Sequence, residues 1–175
     1  METSYGSKYE ETKDLDIVEV AKLIKKELRE EWPEFKWSVR TEKYSGGQSV
    51  KVKIKEAPES FKLFNSTWLS EFKNNEYSRA QKYTEEASEL LEEARNIVEA
   101  YNFDGSDARV DYFHVRFYKS VDYDRDLERE RREVEASKSF EAEKLKEEIE
   151  SNLQKIEELR EETVEMVEKL KSLEK

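Results

Sequence analysis

The sequence predicts an α+β fold: a small antiparallel sheet, made of a hairpin plus a third strand, packed by two helices and followed by a long C-terminal helix with coiled-coil character. Two observations predict it. First, segments with helical apolar periodicity alternate with segments of two-residue periodicity in residues 1–125, which also contain all three tryptophans. Second, 28 of the last 50 residues are charged. We therefore divide the chain into a flexible tail (1–14), an α+β domain (15–125) and a charged helix (126–175).

The first helix has a clear start signal. Asp16 is a capping residue, Glu19 completes a capping box, and Leu15 with Val20 forms a hydrophobic staple. Pro33 marks the end of the helix, because proline cannot continue its hydrogen-bond ladder. The predicted buried face consists of Ile17, Val20, Ala21, Ile24 and Leu28.

A hairpin is predicted next. Alternation of apolar and polar residues from Phe35 to Thr41, and again from Val50 to Ile54, flanks a turn at residues 45–48 that contains two glycines. The inward-facing residues are apolar, and the outward-facing ones are mostly basic.

The segment 56–76 is predicted to be irregular or short-helical and to cover the core, because its bulky apolar residues follow no clean period. A second helix then begins near Ser78 or at a cap on Thr84. A third strand is predicted at 110–118, where Phe113, Val115 and Phe117 alternate with polar or amphipathic residues.

The outward sheet face is a candidate binding surface. With this strand parity it displays a basic and aromatic set: Arg40, Lys51, Lys53, Tyr112, His114, Arg116 and Tyr118. Cations neutralise phosphates and aromatic rings stack on unpaired bases, so nucleic acid is one candidate ligand. A solvated, covered or protein-binding face is favoured instead, since the net charge of −11 weakens attraction to nucleic acid.

The hairpin turn is a second candidate. Tyr44, Ser45, Gly46 and Gly47, with Arg40 and Lys43 nearby, could present backbone amides to an anion. The Walker pattern is absent, and a plain turn explains both glycines.

A weak metal candidate is formed by Asp104, Asp107 and Asp111, whose carboxylates suit calcium or magnesium. Turn formation by these residues is the favoured interpretation, because Asp, Asn, Gly and Ser bond to the local backbone. His114 lacks the nucleophile and oriented acid that catalysis would need. No catalytic residue or cofactor is therefore predicted.

From residue 142 the C-terminal helix follows a heptad pattern in which eight of the ten a and d positions are apolar. The candidate oligomerisation residues are Leu145, Ile149, Ile156, Leu159, Met166 and Leu170. In a parallel pair Glu141–Lys146 and Lys169–Glu174 would attract, while Lys155–Arg160 would repel. An antiparallel pair, a larger bundle, a partner's helix, and a single helix folded back on its own domain all remain open.

Composition bounds the remaining possibilities. The chain has no cysteine, one histidine and no apolar run long enough to span a membrane, so disulfides and two-histidine metal motifs are excluded. These features are typical of an acidic protein of the host-cell cytoplasm, without membrane contact.

Two separated motifs resemble the large polyvalent protein associated domain of type 29, over about residues 15–125. They are Trp32-Pro33, Trp37-Ser38-Val39-Arg40 and Tyr44-Ser45-Gly46-Gly47 in the first, and Tyr101-Asn102-Phe103-Asp104-Gly105-Ser106-Asp107 with Asp111-Tyr112-Phe113 in the second. The resemblance implies an accessory protein of a phage, plasmid or conjugative element. It implies no catalytic residues, and it gives action against host defence as one role.

The resulting hypothesis is a non-enzymatic accessory protein that binds a host or element-encoded protein, with possible self-association through 142–173. The alternative is nucleic-acid binding by the basic and aromatic sheet face. A metal-dependent enzyme ranks third.

Overall fold

The computed structural model describes residues 4–73, 80–106 and 114–173, and the chain divides into two units, Met1–Glu133 and Val134–Lys175. The elements in chain order are β1 (Ser4–Tyr5), α1 (Tyr9–Thr12), α2 (Ile17–Glu31), β2 (Lys36–Tyr44), β3 (Gly47–Glu56), α3 (Ser66–Lys73), α4 (Glu85–Ala100), β4 (Phe103–Asp104), β5 (Tyr118–Tyr123) and α5 (Arg125–Leu173). The α+β fold with a long C-terminal helix is confirmed.

The N-terminal segment differs from the expected flexible tail. Its strand β1 pairs with β4, and the Gly6 and Lys8 amides donate to the carbonyls of Asn102 and Ala100 at 2.9 and 2.8 Å. Thr12 is buried. The segment is therefore held against the end of α4 by contacts that no local pattern announces.

Helix α2 begins as predicted. The Asp16 carboxylate accepts hydrogen bonds from the Val18 and Glu19 amides at 2.8 Å, and the Asp16 amide donates to the Glu19 carboxylate at 3.1 Å, which completes the capping box. The helix ends at Glu31, two residues before Pro33. Its predicted apolar face is buried in full.

The main sheet has the order β2-β3-β5. Strands β2 and β3 form the predicted antiparallel hairpin, with Val39 opposite Val52 and a two-residue turn in which Gly46 has a φ of 94°. This left-handed conformation favours glycine.

The third strand corrects the prediction in position. It is β5, Tyr118–Tyr123, which shares only Tyr118 with the predicted range 110–118. Residues 110–113 of that range lie outside the described residues, and Val115 forms only an isolated bridge with Asp104. Strand β5 runs parallel to β3, with Val121 beside Val52, so the sheet is mixed. A parallel neighbour needs a long crossover, and the chain containing α3 and α4 supplies it.

One face of the sheet carries the core. Helix α2 packs on β2, and α4 packs on β5 and α2. The buried residues of the sheet and of α4 include Val50, Val52, Ile54, Leu91, Ala94 and Val98. Helix α3 and the preceding Phe61, Leu63 and Phe64 cover this core, as expected for a short-helical segment.

The start of α5 belongs to the first unit. Leu127 is buried, Glu128 accepts a hydrogen bond from Lys82 at 2.6 Å and one from the Tyr83 hydroxyl, and Arg131 donates to the Pro58 carbonyl at 2.7 Å. In the second unit, every described side chain from residue 140 onward is exposed. Within the described ranges, no helix has an apolar stretch that would cross a bilayer.

Candidate functional site

The outer face of the main sheet carries part of the predicted basic set. Strand register places Arg40 beside Lys51 and Ser38 beside Lys53, on the side away from the core. The exposed Tyr118 lies next to Ser49 on the same face. The structure therefore brings Arg40, Lys51, Lys53 and Tyr118 onto one surface.

Carboxylates neutralise most of the positive charge on this surface. The Lys51 ammonium lies 2.6 Å from a Glu42 carboxylate oxygen, and Lys53 and Lys55 lie 3.5 and 2.6 Å from an oxygen of Asp124. The hydrogen bond from Lys55 lowers the pKa of the buried Asp124 carboxyl against the opposing effect of burial. Arg40 alone among the described cations of this face forms no ion pair.

The prediction that Arg116 lies on the outer sheet face is wrong. Its guanidinium lies away from the outer sheet face and donates to the Thr12 hydroxyl at 2.9 Å, the Tyr101 carbonyl at 2.8 Å and the Thr12 carbonyl. It also lies over the Tyr9 ring, 5.4 Å from the centroid. Arg116 therefore holds the N-terminal segment in place, because one planar fork satisfies several acceptors at once.

Of the remaining members of the set, the structure describes only His114, which lies apart from this surface. His114 precedes the third strand and packs its exposed ring edge-on against Phe103, with the centroids 4.7 Å apart. Tyr112 lies outside the described residues. Lys43, Ser45 and Gly46 are exposed at the hairpin end.

A small cavity at the hairpin, the hairpin pocket, unites several predicted residues. It has a volume of about 270 Å³ and is lined by Glu42, Tyr44, Ser49, Lys51, Tyr118, Lys119 and Ser120. The two tyrosine rings lie 6.4 Å apart. A Cβ on Gly47 would come within 3.2 and 3.3 Å of them, so glycine lets both rings close over the backbone.

Ser49 gives this pocket a polar floor. The residue is only 6% exposed, and its hydroxyl oxygen has no hydrogen-bond partner among the described residues. Buried hydroxyls ordinarily have a partner. The lining of the hairpin pocket therefore combines this hydroxyl with the Tyr44 and Tyr118 rings and the Lys51 side chain.

Of the three carboxylates predicted as a weak metal site, the structure describes only Asp104, which forms a turn. Asp104 accepts a hydrogen bond from the Ser106 amide at 2.9 Å, and hydrogen bonds from Ser106 lower the pKa of its carboxyl. Asp107 and Asp111 lie outside the described residues. Elsewhere in the described chain, no three His, Asp or Glu side chains are grouped as metal ligands would be.

Sequence reasoning missed a second cavity, the acidic groove, with a volume of about 620 Å³. Trp32, Phe35 and Phe61 supply aromatic surface. The acidic lining residues are Glu34, Glu86, Glu89 and Glu93. The last three are spaced by three and four residues on α4, which places them on one helix face. That spacing could have predicted an acidic face on this helix, but glutamates are so frequent along the chain that it did not stand out.

The second unit presents a long apolar surface, the α5 stripe. All six predicted oligomerisation residues are exposed, from 48% at Ile156 to 63% at Met166. Leu153, Val164, Val167 and Leu173 are exposed beside them. This arrangement can bind another apolar helix face.

Comparison with known proteins identifies the family. The model of large polyvalent protein associated domain 29 matches residues 15–127. The chain belongs to this family. No curated protein and no solved structure matches it at a significant level.

Membership in the domain 29 family confirms the resemblance seen in the sequence and indicates a phage- or mobile-element-associated protein. The match covers both cavities, since their lining residues lie between Trp32 and Ser120. It ends at residue 127, in the first turn of α5. The α5 stripe must therefore be interpreted from its own residues.

Proposed function

We propose that this domain 29 protein is a non-enzymatic accessory protein of a phage or mobile element that acts by binding another protein, encoded by the host or by the element. A host-defence protein is one such partner. The first unit supplies the recognition surface, and the α5 stripe supplies self-association.

The observation that carries the proposal is the exposure of the α5 stripe. A monomer rarely leaves an apolar surface of this length in water, because burial is worth roughly 25 cal/mol per Å² of apolar area. Leu145 and Leu170 are both 58% exposed, at opposite ends of the stripe. A second protein surface would remove this area from water.

Light scattering on the full chain tests this role. A variant with Ile149→Glu, Ile156→Glu and Leu159→Glu is expected to lose self-association. Ser151→Glu, Gln154→Glu and Ser172→Glu form the matched control, since the same charge is added on the opposite helix face. An unchanged mass in the first variant, with helicity retained by circular dichroism, would contradict the proposal.

The acidic groove supports a basic protein segment as the ligand of the first unit. Its four glutamates attract cations, and its aromatic residues can pack against lysine or arginine stems. A cavity of about 620 Å³ also lies in the range of ~300–1,000 Å³ typical of ligand sites.

Capture from nuclease-treated host lysate on the immobilised full chain tests this surface. Glu86→Gln with Glu93→Gln is expected to reduce retention of a protein ligand. Glu85→Gln with Glu92→Gln makes the same charge change on α4 outside the groove and is expected to leave retention unchanged. Equal retention by both variants would remove the groove from the proposal.

Nucleic-acid binding is the alternative, and Arg40 with the hairpin pocket favours it. Arg40 has no ion-pair partner among the described residues, and Tyr44 and Tyr118 expose rings that could stack on bases. Fluorescence anisotropy with single-stranded DNA would then show affinity falling steeply with salt, by a slope of about −0.7 per neutralised phosphate. Loss of binding in Arg40→Gln with Lys51→Gln, set against an unchanged Lys62→Gln control, would favour this alternative.

A further inference from the structure

The direction in which two α5 stripes can pair is encoded in their core and flanking residues. We propose that residues 142–173 pair antiparallel with the same segment of a second copy of this chain, centred between Ile156 and Leu159. The inference rests on the proposed function in one respect, the use of the α5 stripe for self-association. Residues 142–173 are one uninterrupted helix of about 48 Å, and all of their side chains are exposed.

Antiparallel alignment about this centre matches the core residues by type. Each a position faces a d position of the second copy when their residue numbers are symmetric about the centre. The layers are Ala142 with Leu173, Leu145 with Leu170, Ile149 with Met166, Asn152 with Thr163, and Ile156 with Leu159, each formed twice. The two polar residues of the stripe therefore meet each other, and the other layers are wholly apolar. A polar core residue is costly unless it meets a polar partner.

The flanking charges agree with this alignment. Reversing one helix places g positions opposite g positions. Lys155 then faces Glu162 of the second copy, and Glu148 faces Lys169. Both contacts are attractive and both occur twice by symmetry. None of the g contacts in this register is repulsive.

The opposite flank is also compatible. The e positions pair Leu153 with Arg160 of the second copy, and Val167 with Lys146. Long basic side chains cover apolar surface with their methylene stems while their charges stay in water. The parallel arrangement would instead place Lys155 against Arg160.

Antiparallel registers shifted by one heptad are disfavoured. One shift places Lys155 opposite Lys169 of the second copy, and Glu162 opposite Glu162 of the second copy. It also places Asn152 opposite Leu170. The other shift places Lys155 opposite Lys155 of the second copy, and Glu148 opposite Glu162. It also places Asn152 opposite Ile156. Each shift brings like charges together and leaves the Asn152 side chain without a polar partner. The unshifted register is therefore favoured over both.

Sedimentation equilibrium of charge variants tests the direction. Lys155→Glu is expected to raise the dissociation constant of the pair about tenfold, because two attractive contacts become repulsive. Glu162→Lys is expected to do the same, and the double variant to restore the wild-type value. Lys144→Glu, at an outer position, is the control for net charge. Tighter association of Lys155→Glu would overturn the proposal, since in a parallel pair the introduced carboxylate would attract Arg160 of the second copy.

Thiol cross-linking gives an independent readout, because the chain has no cysteine. Leu145→Cys and Leu170→Cys, each alone, are expected not to link through a short bis-maleimide, since an antiparallel pair holds equal positions about 37 Å apart. A mixture of the two is expected to link. Linking of either variant alone, or none in the mixture, would overturn the antiparallel register.

The two claims fail differently. If the wild-type chain does not self-associate, the self-association proposed above fails with the register. If it does, and the Ile149, Ile156 and Leu159 variant dissociates while the mixture fails to link, only the antiparallel register is wrong.

Discussion

Arg116 joins three parts of the first unit that are distant along the chain. Its guanidinium reaches Thr12, the Leu15 carbonyl and the Tyr101 carbonyl, so the N-terminal segment and the end of α4 share one cation. Removing these hydrogen bonds leaves half-buried carbonyls without donors, which costs more than a surface contact would.

Arg116→Lys is therefore expected to lower the free energy of unfolding by about 1–3 kcal/mol, because an ammonium cannot reproduce the planar fork. Urea denaturation followed by circular dichroism measures the change. Arg40→Lys, at an exposed position of the sheet, is the control and is expected to change stability by less than about 0.5 kcal/mol. Equal stability of the two variants would contradict the role assigned to Arg116.

Asp124 predicts a dependence of stability on pH. Its pKa is lowered in the folded protein by the Lys55 hydrogen bond, so the folded state favours the charged carboxylate. The stabilisation is complete above the unfolded pKa, ordinarily near 3.8, and is lost as pH falls through the folded value. Asp124→Asn should cost about 1–2 kcal/mol at pH 7, after allowance for the partly exposed lysines.

Chemical denaturation from pH 7 to pH 2.5 checks this expectation. The stability difference between wild type and Asp124→Asn should shrink toward acid pH. The exposed Asp126→Asn variant should show a much smaller difference throughout. A gap at Asp124 that stays constant with pH would contradict the ionic origin of the stabilisation.

Residue roles were predictable where the partners are close along the chain. The Asp16 and Glu19 capping box depends on a spacing of three residues, and the structure confirms it. Arg116 and Thr12 are 104 residues apart, so no local pattern could pair them. For the same reason, no local pattern could predict that Asp124 neutralises the charge of Lys55.

At the scale of elements, Thr84 connects the start of α4 to the segment that covers the core. Its hydroxyl accepts a hydrogen bond from the Ala87 amide at 3.1 Å and donates to the Lys62 carbonyl at 2.8 Å. Thr84→Ala is expected to cost about 1–2 kcal/mol, and Thr84→Ser to recover most of it, because serine retains the hydroxyl. Thermal unfolding of the three proteins measures the difference, and an alanine variant as stable as the serine variant would refute the cap.

Element positions were predictable where a period and a turn signal coincide, as in the hairpin with its Gly46 turn. The third strand was misplaced because the alternating pattern includes Phe117, which enters the core just ahead of the first paired residue of β5, Tyr118. Its parallel direction depends on the crossover through α4, which periodicity alone does not report. The pairing of β1 with β4 depends on two residues on each side, too short for any pattern.

At the scale of the whole molecule, acidity has two separate roles. In the first unit, Glu42 and Asp124 neutralise the lysines of the sheet, and four glutamates line the acidic groove. In the second unit, glutamates and lysines are interspersed along α5, and the apolar stripe is exposed. The net charge of −11 and the high charge of the last 50 residues could be read from the sequence, but the ion pairs of the sheet and the acidic groove required the fold.

The central claim is that the α5 stripe is a surface for self-association of this chain. Its most direct test is the mass of the unmodified chain, measured by light scattering over a series of concentrations. We expect the mass to rise with concentration toward twice the chain mass of 20.9 kDa. A mass that stays at 20.9 kDa up to several hundred micromolar, about the concentration at which millimolar affinities begin to register, would contradict the claim.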